Sequence, residues 1–137
     1  MKYPKYLLDT SFILALLFEK DFYHEDAKRI YKHLPDDAIL ITHFLVVQET
    51  FSVACRRCKE KKLDCNFVLS KIQEFFERIE ITSKDYSFQS VSEKMKEFHC
   101  NLSFVDTVLT LEAKRLKASL LTFDKKLQNT IREFLSS

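Results

Sequence analysis

"KYLLDTSF", Lys5 to Phe12, decides how the rest of the chain is read. A short, mostly apolar run ends on Asp9, and an apolar run, "FILALLF", resumes at once from Phe12 to Phe18. Both runs favour burial, and a carboxylate set between them is costly unless it has a partner. The first run has the length of a buried strand and the second reads as the start of a helix. Asp9 therefore stands where a strand hands over to a helix.

The same handover recurs downstream. "AILIT" is short, β-branched and bounded by Asp36 and Asp37, and it leads into a long helical stretch from about His43 to Lys61. A second helical stretch runs from Asn66 to Phe76, and "RIEIT" follows as a third strand. "SKDYSFQSVSEKMKEFH" and "SFVDTVLTLEAKRL" are helices, the latter with Val105, Val108, Leu109, Ala113 and Leu116 at helical spacing. "SLLTF" is a fourth strand, and "KKLQNTIREFL" a terminal helix or a helix followed by a very short strand, of which the sequence gives little sign. "HEDAKRIYKHL" forms an amphipathic helix closed by Pro35. Strands separated by helices imply an α/β domain, a parallel sheet of four or five short strands covered on both faces. Ligands of such open sheets bind beyond the carboxyl ends of the strands.

Composition narrows the chemistry. The 137 residues fit one domain, 1–137, with a single core. Glycine is absent, so neither a Walker loop nor a dinucleotide fingerprint can form, since both need backbone that only glycine supplies. The net charge of +2 does not announce a polyanion partner, and such recognition would need a local patch or bound cations. No stretch has the length of a membrane span or the pattern of a signal peptide, which points to a cytoplasmic protein with no membrane partner. Cys55, Cys58, Cys65 and Cys100 lack the paired spacing of a zinc site and read as reduced thiols, with a disulfide open only for a hyperthermophilic source.

Four acids fall where a site would form. Asp9 follows the first strand, Asp124 follows the fourth, Asp106 lies in the first turn of the clearest helix, and Glu49 lies within "FLVVQETFSVA". Asp9, Asp106 and Asp124 each have a second reading in helix capping, with "SFVD" from Ser103 to Asp106 matching a capping box. Glu49 lies on the same helical side as Leu45 and Val53, where a plain core helix would be apolar. Four converging carboxylates would repel and raise one another's pKa values, and the natural remedy is Mg²⁺ or Mn²⁺.

"YLLDTS", "VVQETFSVA", "LSFVDTVLTLEAK" and "LLTFDKKL" occur in the order and approximate spacing of PIN-domain ribonucleases. The chain resembles that family over nearly its whole length, and in size it is similar to VapC toxins of toxin–antitoxin pairs. The resemblance implies a metal-dependent endoribonuclease in which Asp9, Glu49, Asp106 and Asp124 hold Mg²⁺ or Mn²⁺ and serve catalysis. It makes Thr10, Ser11 and Thr122 supports at the rim of that site. It also implies an RNA substrate, a homodimer, and a small antitoxin that threads a segment into a groove walled by the helices around Phe44 to Phe76. The alternatives are a non-cleaving PIN-like scaffold that binds RNA or protein, and a PIN nuclease of RNA processing.

Two further features have plain and functional readings. The basic run from Arg56 to Lys62 places Arg56, Arg57 and Lys59 as candidate RNA-backbone contacts, or as cations complementing a helix end. Phe44, Phe51, Phe75, Phe76 and Phe104 are mostly at core spacing, so packing is the expected role.

Overall fold

Leu7 and Leu8 have no exposed surface, because the strand that carries them lies inside the sheet with neighbours on both sides. The structure is a computed structural model and describes residues 3–136. In chain order the elements are β1 (Lys5–Leu8), α1 (Thr10–Leu17), α2 (His24–Lys32), β2 (Ile39–His43), α3 (Phe44–Glu60) and α4 (Cys65–Glu77). They continue with β3 (Glu80–Thr82), α5 (Phe88–Glu97), α6 (Phe104–Leu116), β4 (Ser119–Leu121) and α7 (Lys125–Ser136).

The four strands form one parallel sheet in the order β3-β2-β1-β4. Leu7 sits opposite Ile41 of β2 and Leu120 of β4, which fixes the register at the centre. Right-handed crossovers put α1 to α4 on one face as the chain steps from β1 to β3. The return to β4 puts α5 and α6 on the other. The packing agrees: α1 touches α2 and α3, α3 touches α4, and α6 touches α5, α7 and β1. The order reverses beside β1, so the switch point between β1 and β4 opens a crevice at their carboxyl ends.

The expected architecture is present, with four strands among the described residues. The C-terminal segment is helical through Ser136, so β4 remains an edge strand there. One boundary moves. The helix expected across "SKDYSFQSVSEKMKEFH" begins only at Phe88, because the Ser87 hydroxyl caps it at the Ser90 N–H. Residues before it form a loop held by Tyr86. Phe75 and Phe76 are buried as expected, and Phe51 packs on Phe76. Phe44 and Phe104 are not core residues: each is the first residue of its helix, standing above the sheet edge, and they are 47% and 41% exposed.

With no glycine, the chain ends its helices on strained residues. Lys62, His99 and Lys117 take φ near +55° just past α3, α5 and α6, and Cys100 follows His99 in the same region. At α6 the Ala118 N–H bonds the Ala113 carbonyl at 3.0 Å and the Lys117 N–H bonds Lys114 at 3.3 Å, the two bonds of a Schellman turn. A side chain in this backbone region costs about 1 kcal/mol or more. Lys117→Gly should therefore raise stability by about 0.5–1 kcal/mol, read as a higher urea midpoint with an unchanged m-value.

Candidate active site

Asp9 is 3% exposed and every bond it makes aims its carboxylate at the crevice between β1 and β4. Its backbone N–H donates to the Leu121 carbonyl at 3.2 Å, extending the β1–β4 pairing by one rung. Its Oδ1 accepts the Phe12 N–H at 2.9 Å, capping α1, and the Ser11 hydroxyl at 2.8 Å. Its Oδ2 accepts the hydroxyl of Thr122. Ser11 accepts in turn from the Phe123 N–H at 3.0 Å, so the residues after β4 are sewn to the start of α1.

Asp124 begins α7 in the same manner. Its Oδ1 accepts the Leu127 N–H at 3.1 Å, and its own N–H donates to Thr122 Oγ1 at 3.0 Å. Asp106 occupies the capping-box position of α6, with its N–H on Ser103 Oγ at 3.1 Å. Glu49, in the second turn of α3, accepts the hydroxyl of Thr10. The capping role of the three aspartates leaves room for a second one, because a cap engages one oxygen or only the backbone. Three helix N-termini, those of α1, α6 and α7, carry these aspartates, and their partial positive charge offsets part of the crowding.

The electrostatics record the convergence. Burial pushes the Asp9 carboxyl up to about 6, with a smaller push from Asp124, against the lowering bonds from Thr122, Phe12 and Ser11. Burial also raises Asp106 to about 6, and the charges of Asp9, Asp124 and Glu49 add to it. All four acids therefore share one electrostatic neighbourhood. Among the described residues no three His, Cys, Asp or Glu side chains close on one point as direct ligands. The donor set is all hard oxygen, half-buried and mutually repelling. It fits a cation such as Mg²⁺, which keeps several waters and takes only one or two carboxylates directly.

The basic run lies elsewhere. It ends α3, with Arg57 eight residues beyond Glu49, about 12 Å along the axis. Arg57 pairs with Asp21 at 3.0 Å and lies over the Phe18 ring. Arg56 and Lys59 are exposed.

Two supports escaped the sequence reading. Phe123, between Thr122 and Asp124, is stacked between Phe12 and Tyr23, with ring centroids 5.6 and 4.5 Å away. An apolar residue after a strand gives no hint of such a sandwich. Glu112 is fully buried on α6 and accepts from Thr82 and Tyr86 at 2.6 Å each and from Arg115 at 2.7 and 2.9 Å. It ties the helix that carries Asp106 to β3 and the loop after it. The i, i+3 pairing with Arg115 was its only local signal.

A model of the PIN domain matches residues 6–133, and the chain belongs to the PIN domain family. The solved structures it resembles include a Mycobacterium tuberculosis toxin, VapC20, which is named as cleaving the sarcin-ricin loop. That likeness has a TM-score of 0.69 at 20% identity and covers 91% of this chain and 94% of the toxin. PAE2754 from Pyrobaculum aerophilum gives 0.69 at 17% identity over 98% and 97%. VapBC2 of Rickettsia felis, solved bound to a fragment of promoter DNA, gives 0.62 at 16% over 91% and 92%. At these identities the likeness speaks to fold. No curated protein matches the chain by sequence. Among the described residues no helix is long and apolar enough to cross a membrane.

Two stability measurements probe these environments. Asp9 binds its proton more tightly folded than unfolded, so without cations its burial lowers stability as pH rises from about 4 through 6. In EDTA at pH 8, Asp9→Asn should be more stable than the native protein by up to about 3 kcal/mol, with the gap closing near pH 4 in urea titrations. Glu112→Ala should lose about 3 kcal/mol or more at neutral pH, because Thr82, Tyr86 and Arg115 lose their common acceptor.

Proposed function

We propose that the protein is a divalent-cation-dependent endoribonuclease acting as the toxin of a VapBC-type toxin–antitoxin pair. The observation that carries this reading is the electrostatic coupling of Asp106 to Asp9, Asp124 and Glu49, with burial and neighbouring charge raising Asp9 and Asp106 to about 6. Such a cluster is costly for an empty protein and suited to one that recruits a hard cation. Membership of the PIN family and the likeness to VapC structures support the nuclease and toxin parts of the reading.

Asp9 and Asp106 are the principal cation ligands in this proposal, with Glu49 and Asp124 completing the site. Mg²⁺ or Mn²⁺ bound there would neutralise charge developing on the scissile phosphate. The chain supplies the rest. Thr122 and Ser11 orient the Asp9 carboxylate, and Thr10 aims Glu49 into the same space. Asp124, anchored by its cap on α7, stands opposite as an acceptor that orients an attacking water. The RNA phosphate approaches three helix N-termini, whose N–H dipoles favour an anion once the carboxylates are neutralised. Arg56 and Lys59, two of the exposed cations of the basic run, would extend the contact along the RNA backbone. The cavity of about 550 Å³ walled by Leu17, Phe18, Arg57, Leu63, Phe67 and Lys71 offers a seat for a segment of an antitoxin.

Purified protein should cleave a model RNA with Mg²⁺ or Mn²⁺ and lose that activity in EDTA. Asp9→Asn and Asp106→Asn should each lower the rate by at least about 100-fold with folding intact. Full activity of a clean Asp106→Asn preparation would overturn the proposal. A folded native protein that binds RNA without cutting it would favour the scaffold reading.

A further inference from the structure

Cys55, Cys58 and Cys65 gather where α3 turns into α4, away from the acid cluster. Cys58 is nine residues beyond Glu49 on the same helix, about 13 Å along its axis. The turn between the helices is tightly specified. The Leu63 N–H bonds the Cys58 carbonyl at 2.9 Å, and the Lys62 N–H bonds Lys59 at 3.4 Å, with Lys62 at φ 54°. The Leu63 carbonyl in turn accepts the Cys65 thiol at 3.7 Å, and Asp64 caps α4 at the Phe67 N–H. One residue, Leu63, thus bridges the two cysteines, its N–H on the Cys58 carbonyl and its carbonyl under the Cys65 thiol, and burial together with the neighbouring Cys65 pushes the Cys58 thiol up. Cys55 lies one helical turn before Cys58 on the same side of α3. All three are free thiols: Cys58 is fully buried, while Cys55 and Cys65 reach solvent.

A buried thiol facing a half-exposed one across a helix–helix turn has the two roles that disulfide formation needs, an entry point for the oxidant and a protected resolving thiol. We propose that Cys58 and Cys65 form a reversible thiol–disulfide site that locks the α3–α4 turn. A small-molecule disulfide such as oxidised glutathione is the co-reactant. The Cys65 thiolate attacks one sulfur and releases the first glutathione thiolate, leaving a mixed disulfide on Cys65. The Cys58 thiolate then attacks the Cys65 sulfur and expels the second glutathione. Two protein thiols are oxidised, one disulfide is reduced, and their two protons leave on the two glutathione molecules. Burial, which pushes the Cys58 thiol up, keeps it from reacting with solvent oxidants before Cys65 has done so.

The locked turn forms one wall of the cavity already described. Lys61, Leu63 and Asp64 line it and lie between the two cysteines, and Arg57 and Phe67, which also line it, flank them. Oxidation therefore acts on the shape of this cavity and leaves the acids untouched. The site stands whether or not the protein cleaves RNA.

The test uses full-length Cys100→Ser protein, which removes the exposed fourth thiol. Folded protein is equilibrated with oxidised glutathione, the remaining thiols are blocked with N-ethylmaleimide, and tryptic peptides are mapped without reduction. Arg56, Arg57 and Lys59 let trypsin separate all three cysteines. The expected result is a Cys58–Cys65 linkage, loss of two of three thiols, and a Tm higher by roughly 5 °C that dithiothreitol reverses. Cys55→Ser should keep the linkage and Cys65→Ser should abolish it. Glutathione retained on Cys65 with Cys58 still free, or a Cys55–Cys65 linkage in its place, would overturn the assignment.

Discussion

The bond network around the Asp9 carboxylate is the constraint on which the site depends. Phe12, Ser11 and Thr122 all donate to it, and together they join the end of β1, the start of α1 and the end of β4. These elements meet at the point where the strand order reverses, so the network sits in the one crevice that the topology opens. Phe123, stacked between Phe12 and Tyr23, keeps Thr122 and Asp124 facing that crevice from the other side. Without this stitching, β4 would be only a three-residue edge strand with little to fix its exit.

Much of this arrangement was legible in the residues. Asp9 and Asp124 follow apolar runs too short to be helices, which places both at strand ends. Asp106 follows Ser103 at capping spacing, and Glu49 interrupts an apolar helical side. Those local signals carry the acids to one edge once the strands are parallel. The family resemblance added the expectation that they act together. Glu112 was not legible, because a Glu three residues before an Arg on a helix reads as a surface pair. Only the fold reveals that β3 and Tyr86 close over it. Phe44 and Phe104 misled for a related reason. Periodicity assigns a face, but the first residue of a helix stands above the sheet edge and has nothing to pack beneath.

The lack of glycine shapes the whole molecule. Helix N-termini are well served, since Asp9, Asp64, Ser87, Ser103 and Asp124 all supply side-chain caps. C-termini are not, and Lys62, His99 and Lys117 accept a left-handed backbone there. Side-chain capping thus serves the starts of these helices and backbone strain their ends, and the two meet in the α3–α4 turn, where Asp64 caps α4 just after the left-handed Lys62. The strained Lys62 also fixes the turn that brings Cys58 and Cys65 together.

Helix α6 carries two carboxylates that its surroundings drive in opposite directions. Burial and neighbouring acids raise Asp106 to about 6. Burial would raise Glu112 as well, but the bonds from Arg115, Thr82 and Tyr86 outweigh it and lower that group to about 2. On acidification the Asp106 end of the helix discharges first and the Glu112 end last. Between those two values Glu112 keeps the charge that holds Arg115, Thr82 and Tyr86 while Asp106 has already taken up its proton. Architecture and site therefore answer to acid separately, although six residues of one helix join them.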